Sequence, residues 1–263
     1  MKTYLAESWD VDAFENLERA PLSTDSGRGP IKLIHHPKSL IVERRYLHGG
    51  LHRFFFPDLF FVTRRAQREY QIHRKLFNAG LATVEPVGWA EQPSVLPGFR
   101  RYSYYSRFLP DAKTLAVWLA EDGLDGNQLC QMAAILHQLF QDGVQHADLN
   151  LNNWLVAAGK IYIIDFDKAH ATRLEPEVYL AACLKRMARS AKKLGLFDGS
   201  SIPLRFLILC AGRFDLDPQK VLVRFSSQIF QERFWDRCRW RISGGHRKKS
   251  PIRSVTHKRG SNG

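Results

Sequence analysis

Apolar and polar positions in the first part of the chain fall into short extended runs. Ile31 to Ile34 and Leu40 to Tyr46 have strand length and strand composition. The turn residues His36-Pro37-Lys38-Ser39 separate them, and Gly49-Gly50 closes the second. From Thr63 to Asn78 the spacing becomes helical, with Tyr70, Leu76 and Phe77 among the apolar positions, Thr63 as the expected cap and Gly80 as the stop. Val84 to Ala90 and the tyrosine-rich Arg101 to Phe108 read as two further strands. Leu109-Pro110-Asp111 then breaks the pattern and marks a boundary. Beyond it, Thr114 to Ala120 predicts a short helix. Gln128 to Gln141 predicts a longer one, with Leu129, Met132, Ile135, Leu136 and Leu139 on one face. An apolar strand, Ile161 to Ile164, and a helix from about Val178 follow. The expectation is an α+β protein of two lobes. Residues 27–109 form a small antiparallel sheet lobe with one helix, and residues 110–240 a larger helical lobe. An irregular leader, 1–26, precedes them, and a tail, 241–263, follows.

With 44% apolar and 25% charged residues, the composition is that of an ordinary folded protein. The opening MKTYLAESWD lacks the basic start and apolar run of a signal peptide. No stretch approaches the ~20 apolar residues that cross a bilayer; Ile202 to Cys210 is short and carries Pro203 and Arg205. Cys130, Cys183, Cys210 and Cys238 are widely spaced, which fits a reducing, cytoplasmic setting. The net charge of +13 is concentrated at the end: Arg233 to Gly263 holds ten basic residues against one acid, Asp236. Such a tail is expected to be disordered and to seek anionic surfaces, either lipid head groups or nucleic acid.

The chemistry-bearing segment is His146-Ala147-Asp148-Leu149-Asn150-Leu151-Asn152-Asn153, followed after the strand by Asp165-Phe166-Asp167. An aspartate, an asparagine five residues on and a second aspartate at a strand end form the acid and metal-ligand set of a kinase. Phosphoryl transfer needs a metal held against the phosphates and a carboxylate that receives the hydroxyl's proton. Asp148 fits the second role. Asn153 and Asp165 offer the oxygen ligands that Mg²⁺ prefers. The order of elements agrees with the motif: strands, helix, strands, hinge, helices, acid loop, strand, D-F is a protein-kinase-like arrangement. His146 is expected to brace the loop through backbone hydrogen bonds.

From Gly27 to Gly195 the chain resembles the bacterial lipopolysaccharide core kinases, most closely those acting on 3-deoxy-D-manno-octulosonic acid (Kdo). The likeness rests on HADLNLNNWLV and IYIIDFDKA, and on Gly27-Arg28-Gly29, Arg44 to Gly50 (R-x-Y-x-x-G-G) and Arg65 to Glu69 (R-x-x-x-E). It implies an ATP- and Mg²⁺-dependent kinase that phosphorylates a Kdo hydroxyl, the 4-position, on a lipid A-linked acceptor at the cytoplasmic face of the inner membrane. Gly27 and Gly29 would approach the ATP phosphates through backbone N–H groups. Arg44 would hold phosphate oxygens, with Glu69 as its partner.

The departures from protein kinases favour a small acceptor. Ala147 replaces the arginine of H-R-D, Asp167 replaces the glycine after D-F, and Asn150 replaces a lysine, offering a donor and an acceptor to a hydroxylated substrate. Only Lys168 to Glu177 separate the motif from the next helix, leaving little room for a peptide-docking platform. Lys168 is a candidate partner for a sugar carboxylate. The basic helix from about Val178 could meet phosphates or an anionic membrane. The same chemistry on a core heptose, or on a protein as in RIO-like kinases, is the first alternative. A kinase-like scaffold binding nucleic acid through its tail is the second, and the intact acid and metal set argues against it.

Overall fold

The computed structural model describes residues 1–7, 9, 14, 17–22, 31–48, 57–61, 63–196 and 202–227. Among these, seven strands form one antiparallel sheet: β1 (Lys2–Leu5), β2 (Arg19–Leu22), β3 (Ile31–His36), β4 (Ser39–Arg45), β5 (Phe60–Phe61), β6 (Pro86–Pro93) and β7 (Phe99–Arg107). Their order is β1-β6-β7-β4-β3-β2, with β5 pairing along β7 beyond the end of β4. A single helix, α1 (Arg65–Asn78), lies between β5 and β6 in the chain. Thr63 caps less directly than expected: its hydroxyl accepts from the Arg65 N–H at 3.2 Å, while the cap position itself is Arg64.

Pleating sends alternate side chains of β7 to opposite faces. Tyr102 and Tyr104 pack toward α1 with Tyr46, Phe60 and Ala66. Tyr105 packs on the other face with Ile34, Ile41, Val87 and three residues from the start of the chain, Ala6, Trp9 and Phe14. This corrects the expectation of an irregular leader. β1 pairs with β6 and β2 pairs with β3, so residues before 27 supply two strands and cover one side of the sheet. Close approach at Gly88 permits this docking, since a Cβ there would sit 2.2 Å from the Tyr4 carbonyl oxygen. Gly88→Ala should therefore lower stability by about 1–3 kcal/mol, as overpacking does, measurable as a reduced urea midpoint.

The second lobe begins with β8 (Lys113–Thr114) and α2 (Leu115–Glu121), then α3 (Gly126–Gln141). An Asp125–Gln128 capping box starts α3, and its Leu129, Leu136 and Leu139 are fully buried. β9 (Val144–Gln145), a 3₁₀ turn (Leu151–Asn153), β10 (Trp154–Ala157), β11 (Lys160–Ile163) and β12 (His170–Ala171) carry the acid motif, with β10 hairpinned to β11 and β12 paired to β9. α4 (Pro176–Lys193) and α5 (Ile202–Arg213) close the lobe. Buried Cys183 and Cys210 act as small hydrophobes in its core, whereas Cys130 is exposed. Among the described residues no helix is long and apolar enough to cross a membrane. Gly27, Gly29, Gly49, Gly50 and the basic tail lie outside the described residues.

Candidate active site

A cavity of about 440 Å³ opens between the lobes. Ile31, Val42 and Val84 line it from the sheet lobe, and Leu155 and Ile164 from the helical lobe, with Ser106 to Leu109 at the connection between them. Its polar lining includes Arg44, Glu69, Asn152 and Asp165 at one end and Arg107, Lys113 and Thr114 elsewhere. The apolar walls suit a flat aromatic base, and the polar set suits phosphates and their counter-ions.

Position four residues apart on a helix means one shared face. On α1 that rule places Arg65, Glu69 and His73 in a row along the cleft. Glu69, whose side chain is only 1% exposed, accepts from Arg44 Nη2 at 2.6 Å and 2.8 Å, and from the Tyr46 hydroxyl. Arg44 Nη2 also lies 3.5 Å from Asp165 Oδ1. Burial opposes the charge on Arg44, but Glu69 and Asp165 outweigh it and hold its pKa above the ordinary arginine value. Burial pushes the Glu69 carboxyl up to about 7, with Arg44 pulling it the other way. The expected Arg44–Glu69 pair is present. Sequence reasoning missed Tyr46 as its third member, although the tyrosine lies two residues from Arg44 on the same strand face.

His73 joins the lobes. Its Nε2–H donates to Thr83 Oγ1 at 2.9 Å, Thr83 donates onward to the Ile163 carbonyl at 2.6 Å, and Tyr104 donates to His73 Nδ1 at 2.7 Å. One neutral tautomer satisfies the whole chain. Burial lowers its pKa to about 3. Because the unfolded histidine, at about 6.5, takes up a proton that the folded one refuses, this group withdraws stability as pH falls from about 6.5 toward 3. His146, lowered by burial as well, acts with the same sign; Glu69, raised, acts with the opposite sign below about 7. Comparing wild type with His73→Gln isolates the histidine. The variant should lose an acid-side slope of up to about 1.4 kcal/mol per pH unit, read from urea midpoints between pH 4 and 6.5.

The acid loop is wound by its own side chains. His146 Nε2–H donates to the Ile164 carbonyl at 3.1 Å, and His146 Nδ1 accepts the Asp148 N–H at 3.3 Å, which is the bracing expected of it. Asn150 Oδ1 caps the 3₁₀ turn through the Asn152 N–H at 3.0 Å. Asn153, fully buried, donates from Nδ2 to the Asp148 carbonyl at 2.7 Å, while its own carbonyl accepts the Ile164 N–H at 2.9 Å. These bonds fix the Asp148 loop against the strand end that carries Asp165. The Asp148 carboxylate is 40% exposed, with Asn150 Nδ2 at 3.0 Å on one oxygen and Lys168 Nζ at 3.3 Å on the other. Asp165 holds φ at +71°, a left-handed conformation that aspartate tolerates better than most residues.

Asp165 brings a carboxylate to the cavity lining, and Asn153, fully buried behind it, carries an amide oxygen while its amide nitrogen is bonded to the Asp148 carbonyl. Two hard oxygen donors, with further positions left to phosphate oxygens and water, are what Mg²⁺ takes beside a nucleotide, so the donor set fits that ion. No group of three or more His, Cys, Asp or Glu side chains suited to a metal occurs among the described residues.

A sequence profile of the lipopolysaccharide kinase (Kdo/WaaP) family matches residues 12–201. The chain belongs to this family. Over 173 residues it is 28% identical to the 3-deoxy-D-manno-octulosonic acid kinase of Vibrio parahaemolyticus, covering 64% of this chain and 71% of that one. Over 159 residues it is 30% identical to the enzyme of the same name from Pasteurella multocida, covering 57% and 65%. Among solved structures it is similar to WaaP in complex with acyl carrier protein, with a TM-score of 0.56, 19% identity, and coverage of 90% of this chain and 99% of that one. The two lobes thus form a protein-kinase-like fold. This Kdo/WaaP family member is a phosphotransferase, a sugar kinase of the lipopolysaccharide core, and kinase chemistry implies ATP as its phosphoryl donor.

Proposed function

We propose that this kinase transfers the γ-phosphoryl group of ATP to the 4-hydroxyl of a Kdo residue on a lipid A-linked inner core. One observation carries the reading. The network through His146 and Asn153 holds the Asp148 loop against the strand end bearing Asp165, and Asp165 in turn faces the Arg44–Glu69 pair across the cleft. Asp148 orients the acceptor hydroxyl and takes its proton as the oxygen bonds to the γ-phosphorus and the bond to the ADP oxygen breaks. Arg44, steadied by Glu69 and Tyr46, holds phosphate oxygens. Asn153 and Asp165 hold Mg²⁺, which when bound neutralises charge on the phosphates. Gly27 and Gly29, outside the described residues, keep their proposed place against the phosphates on the strength of the family resemblance.

The acceptor side supports a sugar acid. Asn150 can trade its bond to Asp148 for one to a substrate hydroxyl. Lys168, with a side chain 62% exposed, can turn from Asp148 to the sugar carboxylate. The segment before α4 is short and pinned by the β12–β9 pairing, which leaves no platform for a peptide. Lys185, Arg186, Arg189, Lys192 and Lys193 on α4 suit the anionic membrane surface that carries such an acceptor, consistent with peripheral attachment at the cytoplasmic face.

The test is transfer from labelled ATP to a panel of Kdo-bearing lipid A, heptosylated core, a generic protein acceptor and RNA. Label should appear on the Kdo-bearing acceptor. Label on heptose or protein instead would reassign the acceptor. Salt-sensitive RNA binding without turnover would favour the scaffold reading.

A further inference from the structure

Two residues beyond Asp165, the chain carries Asp167, whose carboxylate is gripped from the other lobe. Arg65 Nε donates to Asp167 Oδ1 at 2.5 Å and Arg65 Nη2 donates to Oδ2, a two-pronged pair. Arg65 opens α1 in the sheet lobe and Asp167 follows β11 in the helical lobe, so the pair spans the cleft. It is partly sheltered: the Arg65 guanidinium lies over the Tyr46 and Phe60 rings at 5.2 Å and 5.4 Å, and the Arg65 and Asp167 side chains are 33% and 10% exposed.

Asp165 is therefore reached from Arg65 by two routes. One runs through Asp167 and the two intervening peptide units. The other runs from the Tyr46 ring beneath Arg65, through the Tyr46 hydroxyl to Glu69, then Arg44, 3.5 Å from Asp165. Asp165 meanwhile sits at φ +71°, in the left-handed region that few residues other than glycine adopt, aspartate and asparagine among them. Phe166, the residue between the two aspartates, is fully buried against His73 and His146, and its carbonyl accepts the Ala169 N–H at 2.9 Å, which pins the centre of the segment. Arg65 pins the far end.

We propose that Arg65 and Asp167 are positioning residues, an interlobal latch that keeps the Asp165 carboxylate turned into the cleft and so sets the affinity of the site for the divalent cation. The inference rests on Asp165 being a metal ligand. Without the latch, Asp167 loses its partner across the cleft. The turn at residues 165–168 is then held by Phe166 burial, the Ala169 N–H to Phe166 carbonyl bond and the Arg44–Asp165 pair, and the ligand is less firmly pre-oriented.

The experiment titrates Mg²⁺ into the full-length protein with a non-hydrolysable ATP analogue, following nucleotide binding by calorimetry. The variants are Arg65→Gln, Asp167→Asn, the double variant and Asp165→Asn, with melting curves recorded alongside. Each single latch variant should raise the Mg²⁺ midpoint about tenfold or more, as loss of a residue supporting a metal ligand does. The double variant should go no further, and metal-free nucleotide binding should stay within about twofold. Arg65→Lys, which keeps the charge but loses the fork, should fall between; it also decides the matter if the glutamine variant fails to fold. Lower melting temperatures with an unchanged Mg²⁺ midpoint would reduce the pair to a structural contact and overturn the proposal. An unchanged midpoint in Asp165→Asn would instead remove the reading on which it rests.

Discussion

Asp148→Ala is expected to lower kcat by about 10²–10⁴-fold, the usual worth of a positioned general base, while ATP binding and the melting temperature stay close to wild type. The backbone of the loop does not depend on this carboxylate. Its winding comes from the His146 ring on the Asp148 N–H, the Asn153 amide on the Asp148 carbonyl and the Asn150 cap on the Asn152 N–H. The carboxylate itself is 40% exposed, and among the described residues its hydrogen bonds are to Asn150 Nδ2 and Lys168 Nζ. Asp148→Asn should be nearly as inactive, since an amide keeps the shape but cannot take the proton. Full activity in either variant would remove Asp148 from the chemistry. A loss of activity matched by a loss of cooperative unfolding would point to a scaffolding role instead.

Glu69→Ala should lower stability by about 1.5–3 kcal/mol, because it takes a fully buried carboxylate away from a guanidinium that is 22% exposed. It also removes the acceptor of the Tyr46 hydroxyl, leaving that group unsatisfied. Arg44 Nη2 already lies 3.5 Å from the Asp165 carboxylate and should move onto it. That move would occupy the proposed metal ligand, so the KM for ATP and the Mg²⁺ requirement should both rise. Glu69→Gln keeps an oxygen for both donors and should lose markedly less stability, yet should share the rise in KM because the charge holding Arg44 is gone. Chemical denaturation and steady-state kinetics on the two variants separate these effects. Equal stability of Glu69→Ala and wild type would show that the pair contributes nothing to the fold.

What could be read from the sequence divides by distance along the chain. The acid loop was legible because its spacing is local: the Asn153 amide bonds the Asp148 carbonyl five positions back, and the N–H of Ile164, next to Asp165, bonds the Asn153 carbonyl. The Arg44–Glu69 pair was legible through the strand and helix that carry it. The bond between Arg65 and Asp167 spans 102 positions, and nothing local announces it. One signal was available: Arg65, Glu69 and His73 recur every fourth residue on α1, so a partner for Glu69 implied a shared face for the other two. The start of the chain was misread for a similar reason. β1 is four residues long with an alternating exposed and half-buried pattern, too short and polar to stand out, and its partner β6 lies more than eighty positions away. β10 went unrecognised as a strand because Trp154 to Ala157 reads as the end of the motif.

The account stands on Asn153 and Asp165 sharing one ion beside the nucleotide, with Asp148 facing the phosphoryl group to be transferred. A crystal structure with Mg²⁺ and a non-hydrolysable ATP analogue tests this most directly. It should show the adenine between Val42 and Leu155, the ion held by side-chain oxygens of Asn153 and Asp165 and by phosphate oxygens, and the Asp148 carboxylate turned toward the γ-phosphate. A nucleotide seated elsewhere, or an ion that draws no oxygen from either side chain, would contradict it.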